Sequence, residues 1–559
     1  MHIHKTAEPY DAIVVGSGAN GGVAAKELGE RGLRVLVLEA GRDIDPKRDP
    51  HHPVRDTARR AFNIATGKQT HQATHPGYWK ANPDFFVDER EHPYTTPEHK
   101  PFYWIRGRQV GGRSHTWGGI TLRLSDYEFK AAQRDGFGED WPIAHADLAP
   151  YYTRLERFFQ VQGECDRLAQ LPDGDYLPPA PLTPAERELQ QLIGDRWTDR
   201  QLIHSRGFAL HRPTPEQPWS RAASPGSSLK TALATGNVEL RPNAIVSHLT
   251  FDADSHHASG VAFIDRLTHE TYEVRGRVVM LCASAIETVR ILLHSTAEHQ
   301  PHGLANEADL LGRYLMDHIS AMQFFWLPGM PAPSESFPLS GSESFFIPRF
   351  CNLANPQAES FLRGYGLWGG IQRIGVPSVL QKVGEGEIGF LIGHGEVLPH
   401  AENHVSLSPD TVDAWGIPAA HIDCAWSENE HQMVAHMRQE IEATVKAAGG
   451  QCYALTDLYH MPAVAPLMRR VEKTLTPAGP PGYYIHEVGG ARMGTSPHNS
   501  VVNADNQCWE APNVLVTDGA CWTSSGWQSP TLTEMAITAR ACDRVTTKLR
   551  HGFALELDA

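Results

Sequence analysis

Three features that point to particular classes of protein are missing from this sequence. No apolar run approaches the roughly 18–20 residues of a membrane-spanning helix, and Lys and Arg (50) are outnumbered by Asp and Glu (65), giving a net charge of −15. A nucleic-acid-binding protein would show a basic footprint. The eight cysteines lie far apart and form no CxxC pair, so we expect free, mostly buried thiols rather than disulfides or a structural zinc site. The sequence therefore predicts no membrane span, no nucleic-acid partner and no metal site.

Internal repeats, low-complexity tracts and a secretion signal are missing as well. Met1–Tyr10 has no long apolar region and no cleavage site, so we expect a cytoplasmic protein, with export left to the signal of a partner subunit. The chain has 559 residues, 41% of them hydrophobic. It is long enough for two cores, because single cores rarely exceed about 250–300 residues. This composition excludes a disordered or fibrous protein.

The first forty residues have the pattern of a dinucleotide-binding β-α-β unit. A short apolar strand, Asp11–Val15, precedes a glycine-rich turn, a helix and a second strand, Arg34–Leu38. In such a unit the glycines allow a tight turn and close approach of a diphosphate, and the helix N-terminus attracts the phosphates. An acidic residue after the second strand accepts hydrogen bonds from ribose hydroxyls. These positions are occupied here by Gly16, Gly18, Gly21 and Glu39.

Two later segments favour FAD over NAD, because the longer flavin dinucleotide is held by several returning stretches of chain. A buried strand leads into Cys282–Ser295, where Ser284 is expected to cap a helix at Ala285–His294. Another strand ends at Asp518. From residue 319 to 420, short aromatic runs alternate with turns, which predicts a mostly antiparallel sheet.

We therefore predict an α/β fold in which a Rossmann-like FAD-binding domain is interleaved with a substrate domain built on a mostly antiparallel sheet with helices. The FAD-binding domain is assigned residues 8–50, 104–160, 222–318 and 476–559, and the substrate domain residues 161–221 and 319–475. Residues 51–103, which are rich in Pro, His and Arg, are interpreted as an irregular excursion that covers the site.

Motifs along the whole chain resemble those of the glucose–methanol–choline (GMC) oxidoreductases, a family of FAD enzymes. The matching segments are Val15–Gly22 with Glu39, Arg108–Gly118, Cys282–Ser295, Leu311–His318, Leu398–Leu407 and His486–Gly494 continuing to Thr533. Within the family, Asp135–Pro142 and Val516–Cys521 resemble the bacterial sugar-oxidising branch. That branch includes glucoside 3-dehydrogenases and, more distantly, pyranose 2-oxidase.

The resemblance implies oxidation of a secondary hydroxyl of a sugar or glycoside to a ketone, by hydride transfer to flavin N5. C3 of a glucoside is the first candidate. His486 matches the family's catalytic histidine, and imidazole suits a general base because its unperturbed pKa is ~6.5. At the family's second active-site position, usually His or Asn, this chain has Ser529. Serine donates only one hydrogen bond and is shorter, which leaves the role of that position open. His318 matches a family histidine near the domain junction and is interpreted as structural or flavin-adjacent.

The resemblance also implies how FAD is held. Some family members link FAD covalently to a histidine in a Ser-Thr-His-Trp segment. Here the order is Ser114-His-Thr-Trp117, so His115 comes one position early. Non-covalent FAD is therefore expected, with a link through His115 as the alternative. The other expected FAD contacts are Gly112, Ser114, Ala283, Asp518, Gly519 and Thr531.

A sugar has an apolar face and a rim of hydroxyls, so aromatic side chains beside the matched motifs are candidates for binding it. These are Trp117, Trp522 and Trp527, with Gln528 beside them. Electrons would leave to oxygen or to an external acceptor, with a small partner subunit as a further option. Other readings remain open: a non-sugar alcohol such as a sterol, an aryl alcohol or choline as substrate, a flavoprotein lyase, or a binding subunit that has lost catalysis.

Overall fold

The computed structural model of the protein describes residues 4–5, 8–45, 52–251, 257–298, 300–330, 333, 336–374, 380–460, 469 and 478–550. Its strands, in chain order, are β1 (His4–Lys5), β2 (Tyr10–Val15), β3 (Val35–Leu38), β4 (Ile203–His204), β5 (Val238–Arg241), β6 (Ala244–Phe251), β7 (Ala258–Asp265), β8 (Thr271–Leu281), β9 (Met322–Pro328), β10 (Phe345–Ile347), β11 (Tyr365–Ile371), β12 (Gly386–Gly395), β13 (His404–Val412), β14 (Pro418–Asp423), β15 (Gln451–Tyr453), β16 (Gln507–Cys508) and β17 (Ala511–Val516). Its α-helices are α1 (Ala19–Glu30), α2 (Pro53–Ala65), α3 (Pro76–Lys80), α4 (Asp126–Phe129), α5 (Ala131–Asp135), α6 (His145–Phe159), α7 (Pro184–Arg196), α8 (Ser228–Ala234), α9 (Ala285–His294), α10 (Glu428–Ala447), α11 (Leu455–Leu458) and α12 (Thr531–Arg550).

The first sheet has the strand order β16-β17-β8-β2-β3-β5, and the pairings from β17 to β5 are parallel. Its central strands are apolar on both faces, as parallel strands covered by helices must be. Ala12 and Val14 of β2 pack in one core with residues of α1 and α12. Ile13 and Val15 point to the opposite face and join the main core. The C-terminal helix thus packs beside the helix of the first β-α-β unit.

The second sheet has the order β15-β9-β12-β11-β10-β4, and every pairing in it is antiparallel. Helix α10 packs against β9 and β12. The predicted fold class, a Rossmann-like sheet combined with an antiparallel sheet and helices, is confirmed. The domain boundaries remain a prediction.

The interpretation of residues 51–103 as irregular is wrong for part of the segment. Helix α2 occupies thirteen of these residues, and the short α3 follows. Helix α2 begins at a proline, and the His52 ring accepts a hydrogen bond from the Arg55 N–H. Pro is well suited to a first helical position, but His is not among the usual N-cap residues. The start of this helix therefore could not be recognised from the usual N-cap residues.

Among the helices that the structure describes, none combines the length and apolar character needed to cross a bilayer. The eight cysteines are all unpaired, and six of them are buried.

Candidate functional site

A turn between β2 and α1 forms one end of the site. Gly16 has φ +98°, a conformation open to glycine but strained for other residues. Gly18 is the N-cap residue of α1, and no side chain caps the first turn of that helix. A Cβ placed on Gly18 would meet only the Gly111 carbonyl oxygen, at 3.9 Å. Space and backbone N–H groups are thus available to an anionic ligand at this turn.

Glu39, at the end of β3, lies directly against this turn. One of its carboxylate oxygens accepts hydrogen bonds from the Ser17 N–H (3.1 Å) and the Ser17 hydroxyl (2.6 Å). The other accepts one from the Gly41 N–H at 2.8 Å. Burial raises the pKa of Glu39. The structure therefore brings the predicted ribose-binding acid to the predicted diphosphate turn.

The segment Gly112–His115 forms a 3-10 turn that borders Gly18. The Ser114 hydroxyl donates to the Gly111 carbonyl at 2.5 Å and accepts from the Ser224 N–H at 2.9 Å. The Nε2 atom of His115 donates to the Val110 carbonyl at 3.0 Å. Burial lowers the pKa of His115 to about 4. This ring is therefore neutral and already engaged at one nitrogen.

Segments from the middle and end of the chain pack beside this turn. Arg113 donates to Glu487 and to the Ser284 hydroxyl, at 2.6 Å each. Ser284 was expected to cap α9, but it has φ +80° and makes no cap hydrogen bond, because its hydroxyl accepts from Arg113 instead. Asp518 accepts from the Ala520 N–H at 3.0 Å and from the Thr288 hydroxyl at 2.5 Å.

The first turns of α1 and α12 are tied together at this point. The Asn20 amide donates to Glu534 at 2.8 Å. A Cβ on Gly519 would meet both the Glu487 carbonyl and the Glu534 carboxylate, at 2.9 Å each. A Cβ on Gly16 would lie 3.2 Å from Ala283 Cα. The expected FAD contacts of the later segments are therefore gathered around the same turn, and Thr531 begins α12 beside them.

These residues fit a flavin dinucleotide. In the described part of the chain, Asn20 Oδ1 and Glu487 Oε1 are buried acceptors without a hydrogen-bond partner. Unsatisfied buried acceptors are costly, and hydroxyl donors on a ligand would satisfy them. These acceptors are suited to ligand hydroxyls, the open turn at Gly18 to a diphosphate, and the acid Glu39 to a ribose.

A cluster of histidines surrounds His486, the residue before Glu487. Nδ1 of His486 is 2.7 Å from Nδ1 of His318, and Nε2 of His318 is 2.9 Å from the Gly526 carbonyl oxygen. The His394 ring lies 6.2 Å from the His486 ring, between centroids, and its Nε2 bonds to the Tyr484 hydroxyl. Burial, and then the neighbouring His318, lower the pKa of His486 well below its usual value. His486 is therefore a neutral imidazole at neutral pH, with one unprotonated ring nitrogen.

The backbone around His486 is held by Asp317. Residues Met316 and Val488 exchange backbone hydrogen bonds of 2.8 and 2.9 Å. The buried Asp317 carboxylate accepts from the N–H groups of Gly482 (2.9 Å) and His486 (2.9 Å). The segment before His486 is covered by the excursion, where the Tyr483 hydroxyl donates to the Thr74 carbonyl at 3.2 Å.

We expect Asp317 to make stability depend on pH. Burial, and then the nearby Glu487, raise its pKa to about 7. The folded state thus binds this proton more tightly than the unfolded state, so its contribution is full below about pH 4 and is lost as the pH rises through about 7. Denaturant unfolding across this range should give a steeper fall in the free energy of unfolding for the wild type than for Asp317→Asn. Equal slopes would contradict the assignment.

One face of the second sheet forms a wall beside the histidines. Phe346 of β10 pairs with Trp368 of β11, and Gly366 of β11 pairs with His394 of β12. Gly366 and Trp368 are two residues apart on one strand and therefore point to the same face, and their cross-strand partners point to that face as well. The Trp527 ring packs against Gly366, where a Cβ would collide with it. The wall is thus aromatic, with His394 at its edge.

Two further tryptophans predicted to bind substrate have other surroundings. Trp522 is fully buried, and its ring meets the Trp141 ring edge-on at 5.4 Å. The indole N–H of Trp117 donates to the Ala222 carbonyl at 3.1 Å. These are the surroundings of packing residues.

The residues beside Trp527 are buried too. The Gln528 amide donates from Nε2 to Glu128 and accepts at Oε1 from the backbone N–H of Trp527, at 3.1 Å each, so both ends of this side chain are engaged within the protein. Ser529 is 4% exposed and lies two residues before the start of α12.

Several residues of this site were not predicted from the sequence. Asp317, Tyr484, Phe346 and Trp368 were not proposed as site residues, and neither was His394. A histidine at the end of the apolar strand β12 was the one visible signal. Among the residues that the structure describes, no group of His, Cys, Asp and Glu is arranged to hold a metal ion.

Comparison with known proteins identifies three regions of the chain. Residues 191–320 and 399–538 match the N- and C-terminal models described as GMC oxidoreductase. Residues 14–66 match the model of an NAD(P)-binding Rossmann-like domain.

Relatives align with nearly the whole chain at low identity. The 2-methyl-1,2-propanediol dehydrogenase of Mycolicibacterium austroafricanum is 28% identical, covering 97% of this chain and 96% of its own length. The fructose dehydrogenase large subunit of Gluconobacter japonicus is 26% identical, with 97% and 98% covered. The C-glycoside 3-oxidase of Microbacterium trichothecenolyticum is 22% identical, again with 97% and 98% covered. The formate oxidase structure of Aspergillus oryzae RIB40 has the same fold, with a TM-score of 0.62 at 15% identity over 98% of this chain and 99% of that one.

Proposed function

Because the chain belongs to the GMC oxidoreductase family, we propose that it oxidises a secondary hydroxyl of a sugar or glycoside to a ketone. C3 of a glucoside is the first candidate position. The enzyme class, an FAD-dependent alcohol or sugar oxidoreductase, follows from the family and its members. The substrate and the position are our proposal. A C-glycoside 3-oxidase and a fructose dehydrogenase subunit among the relatives support it.

The observation that carries the proposal is the neutral His486 beside the aromatic wall. A neutral imidazole has one unprotonated ring nitrogen, which can accept the hydroxyl proton of an alcohol. When bound, FAD supplies the acceptor for the hydride that leaves the alcohol carbon as the carbonyl forms. Asp317 and the Met316–Val488 pairing fix the backbone of the base.

Unpaired donors in the wall favour a substrate with several hydroxyls. In the described residues, Nε1 of Trp368, Nε1 of Trp527 and Nδ1 of His394 are buried without a hydrogen-bond partner. An unsatisfied buried polar group costs ~1–3 kcal/mol. Sugar oxygens would satisfy groups that act as donors, while the aromatic faces suit the apolar face of a pyranose. A sterol or choline would leave them unsatisfied, which disfavours those alternatives.

A substrate panel tests the proposal. Flavin-loaded protein is mixed without oxygen with methyl glucoside, glucose, an aryl alcohol or choline, and the flavin absorbance is followed. We expect bleaching by the glucoside and formation of a 3-keto product. Bleaching by the non-sugar alcohols alone would replace the substrate class. A flavin that no alcohol bleaches would instead support a lyase or a binding subunit.

We propose that FAD is bound without a covalent link. His115 already donates from Nε2 to the Val110 carbonyl and packs between Phe85 and Trp219, at 5.0 and 4.9 Å between ring centroids. Acid precipitation should therefore release all of the flavin into the supernatant. A yellow pellet whose flavin is lost in His115→Ala would contradict this expectation.

The electron acceptor is proposed to be oxygen or an external acceptor. A partner subunit is a further proposal, supported by the relative that is named as a large subunit. We propose the cytoplasm as the place of folding, on the cysteine pattern of the sequence. Export, if it occurs, would depend on a partner's signal.

A further inference from the structure

We propose that His318 is a positioning residue that fixes the tautomer of His486. His486 then carries its proton on Nδ1 and presents the lone pair of Nε2 to the substrate hydroxyl. This inference rests on the proposed function, in which His486 is the base. It assigns a role to a side chain that the sequence analysis left as structural or flavin-adjacent.

The Gly526 carbonyl oxygen can only accept a hydrogen bond. Nε2 of His318 lies 2.9 Å from that oxygen and therefore carries a hydrogen. The His318 ring is 2% exposed, and burial lowers its pKa to about 4. The ring is thus neutral, and its single hydrogen is on Nε2.

It follows that Nδ1 of His318 holds a lone pair and acts as an acceptor. Its partner, 2.7 Å away, is Nδ1 of His486, which must therefore carry the hydrogen between them. A neutral imidazole has one N–H, so Nε2 of His486 is unprotonated. One backbone carbonyl thereby determines, through His318, which nitrogen of His486 is the base.

The geometry of the pair is fixed by the backbone on both sides. The His318 and His486 rings meet at 4.8 Å and 83°. The carboxylate of Asp317, which precedes His318, accepts a hydrogen bond from the backbone N–H of His486 at 2.9 Å. This backbone hydrogen bond holds the two residues next to each other independently of the hydrogen bond between their rings. Besides burial and His318, the groups that lower the pKa of His486 are His394, Arg113 and His75. Three other titratable groups lie beside it: Tyr484, whose ring centroid is 4.9 Å from that of His486, Asp317, which accepts from the backbone N–H of His486, and Glu487, the next residue.

Two substitutions separate the functions of the two His318 nitrogens. In His318→Asn, the amide oxygen can replace Nδ1 as acceptor, but the bond to Gly526 is lost. In His318→Gln, the longer amide can still donate to the Gly526 carbonyl, but the acceptor beside His486 is lost. In His318→Asn, we expect the rate of flavin reduction by substrate to be within about tenfold of the wild-type rate. We expect the rate for His318→Gln to be lower by about 10²–10³-fold, the lower part of the range for removing general acid–base catalysis.

The result that overturns the proposal is the reverse order or an equal loss in both variants, at equal flavin content and melting temperature. A purely structural role would follow the Gly526 bond and make the Asn variant the worse one. If the wild type itself is not reduced by any alcohol, the proposed function fails instead.

A second readout does not depend on activity. In protein labelled with ¹⁵N-histidine, the ring nitrogens of His486, assigned by comparison with His486→Asn, should show Nδ1 protonated and Nε2 bare in the wild type. This pattern should persist in His318→Asn and be lost or mixed in His318→Gln. A protonated Nε2 in the wild type would refute the proposal whatever the kinetics.

Discussion

Replacing His486 with asparagine is expected to slow flavin reduction by substrate by about 10³–10⁴-fold, the upper part of the range for general acid–base catalysis. Asparagine keeps a donor for Nδ1 of His318, 2.7 Å away in the wild type, so the local structure should persist. It has no group that can take the hydroxyl proton at neutral pH. Rapid-mixing absorbance without oxygen measures this rate directly.

The control for this experiment is His269→Asn. His269 is an exposed turn residue with φ +59°, a conformation that asparagine tolerates well. We expect this variant to match the wild type, and His486→Asn to keep its flavin and melting temperature. A loss of less than about tenfold in His486→Asn would mean that another group removes the proton.

Replacing Gly18 with alanine is expected to weaken flavin binding without weakening the protein itself. Gly18 has φ −65°, which alanine adopts, and its Cβ would meet only the Gly111 carbonyl at 3.9 Å. If a diphosphate lies against Gly18, the new methyl group overlaps it at a cost of ~1–3 kcal/mol. This corresponds to a dissociation constant raised about 10–100-fold. Titration of the apoprotein with FAD measures it.

The matched control is Gly194→Ala in α7, where a Cβ would meet no atom within 4 Å. Gly16 is unsuitable for this test, because φ +98° and the nearby Cys282 carbonyl would make alanine destabilise the turn itself. Unchanged FAD affinity in Gly18→Ala would place the diphosphate elsewhere. A Gly18→Ala apoprotein that melts earlier than the wild-type apoprotein would show that Gly18 is needed for folding instead.

The parts of the fold that could be predicted from the sequence are those encoded locally. The first β-α-β unit combines apolar strands with a glycine turn, and the expected helix at Ala285–His294 has these bounds in the structure. Helix α2 was missed because its start depends on a His52 ring that accepts from a backbone N–H.

The site was harder to predict because its contacts join distant residues. His318 and His486 are 168 positions apart, and their hydrogen bond depends on the pairing of two segments that have no common local pattern. Trp522 and Trp527 are near each other in one loop, yet only Trp527 packs on the aromatic wall, against Gly366 of β11. Periodicity does not distinguish two side chains in an irregular loop.

The most direct test of the account compares methyl glucoside with its form deuterated at C3 in flavin reduction without oxygen. The account predicts that the flavin is reduced by both, that the deuterated glucoside reacts several-fold more slowly, and that His486→Asn abolishes most of the reaction with either. Equal rates for the two glucosides would show that the C3–H bond is not broken in the observed step. Absence of reduction by either would contradict the proposed sugar oxidation.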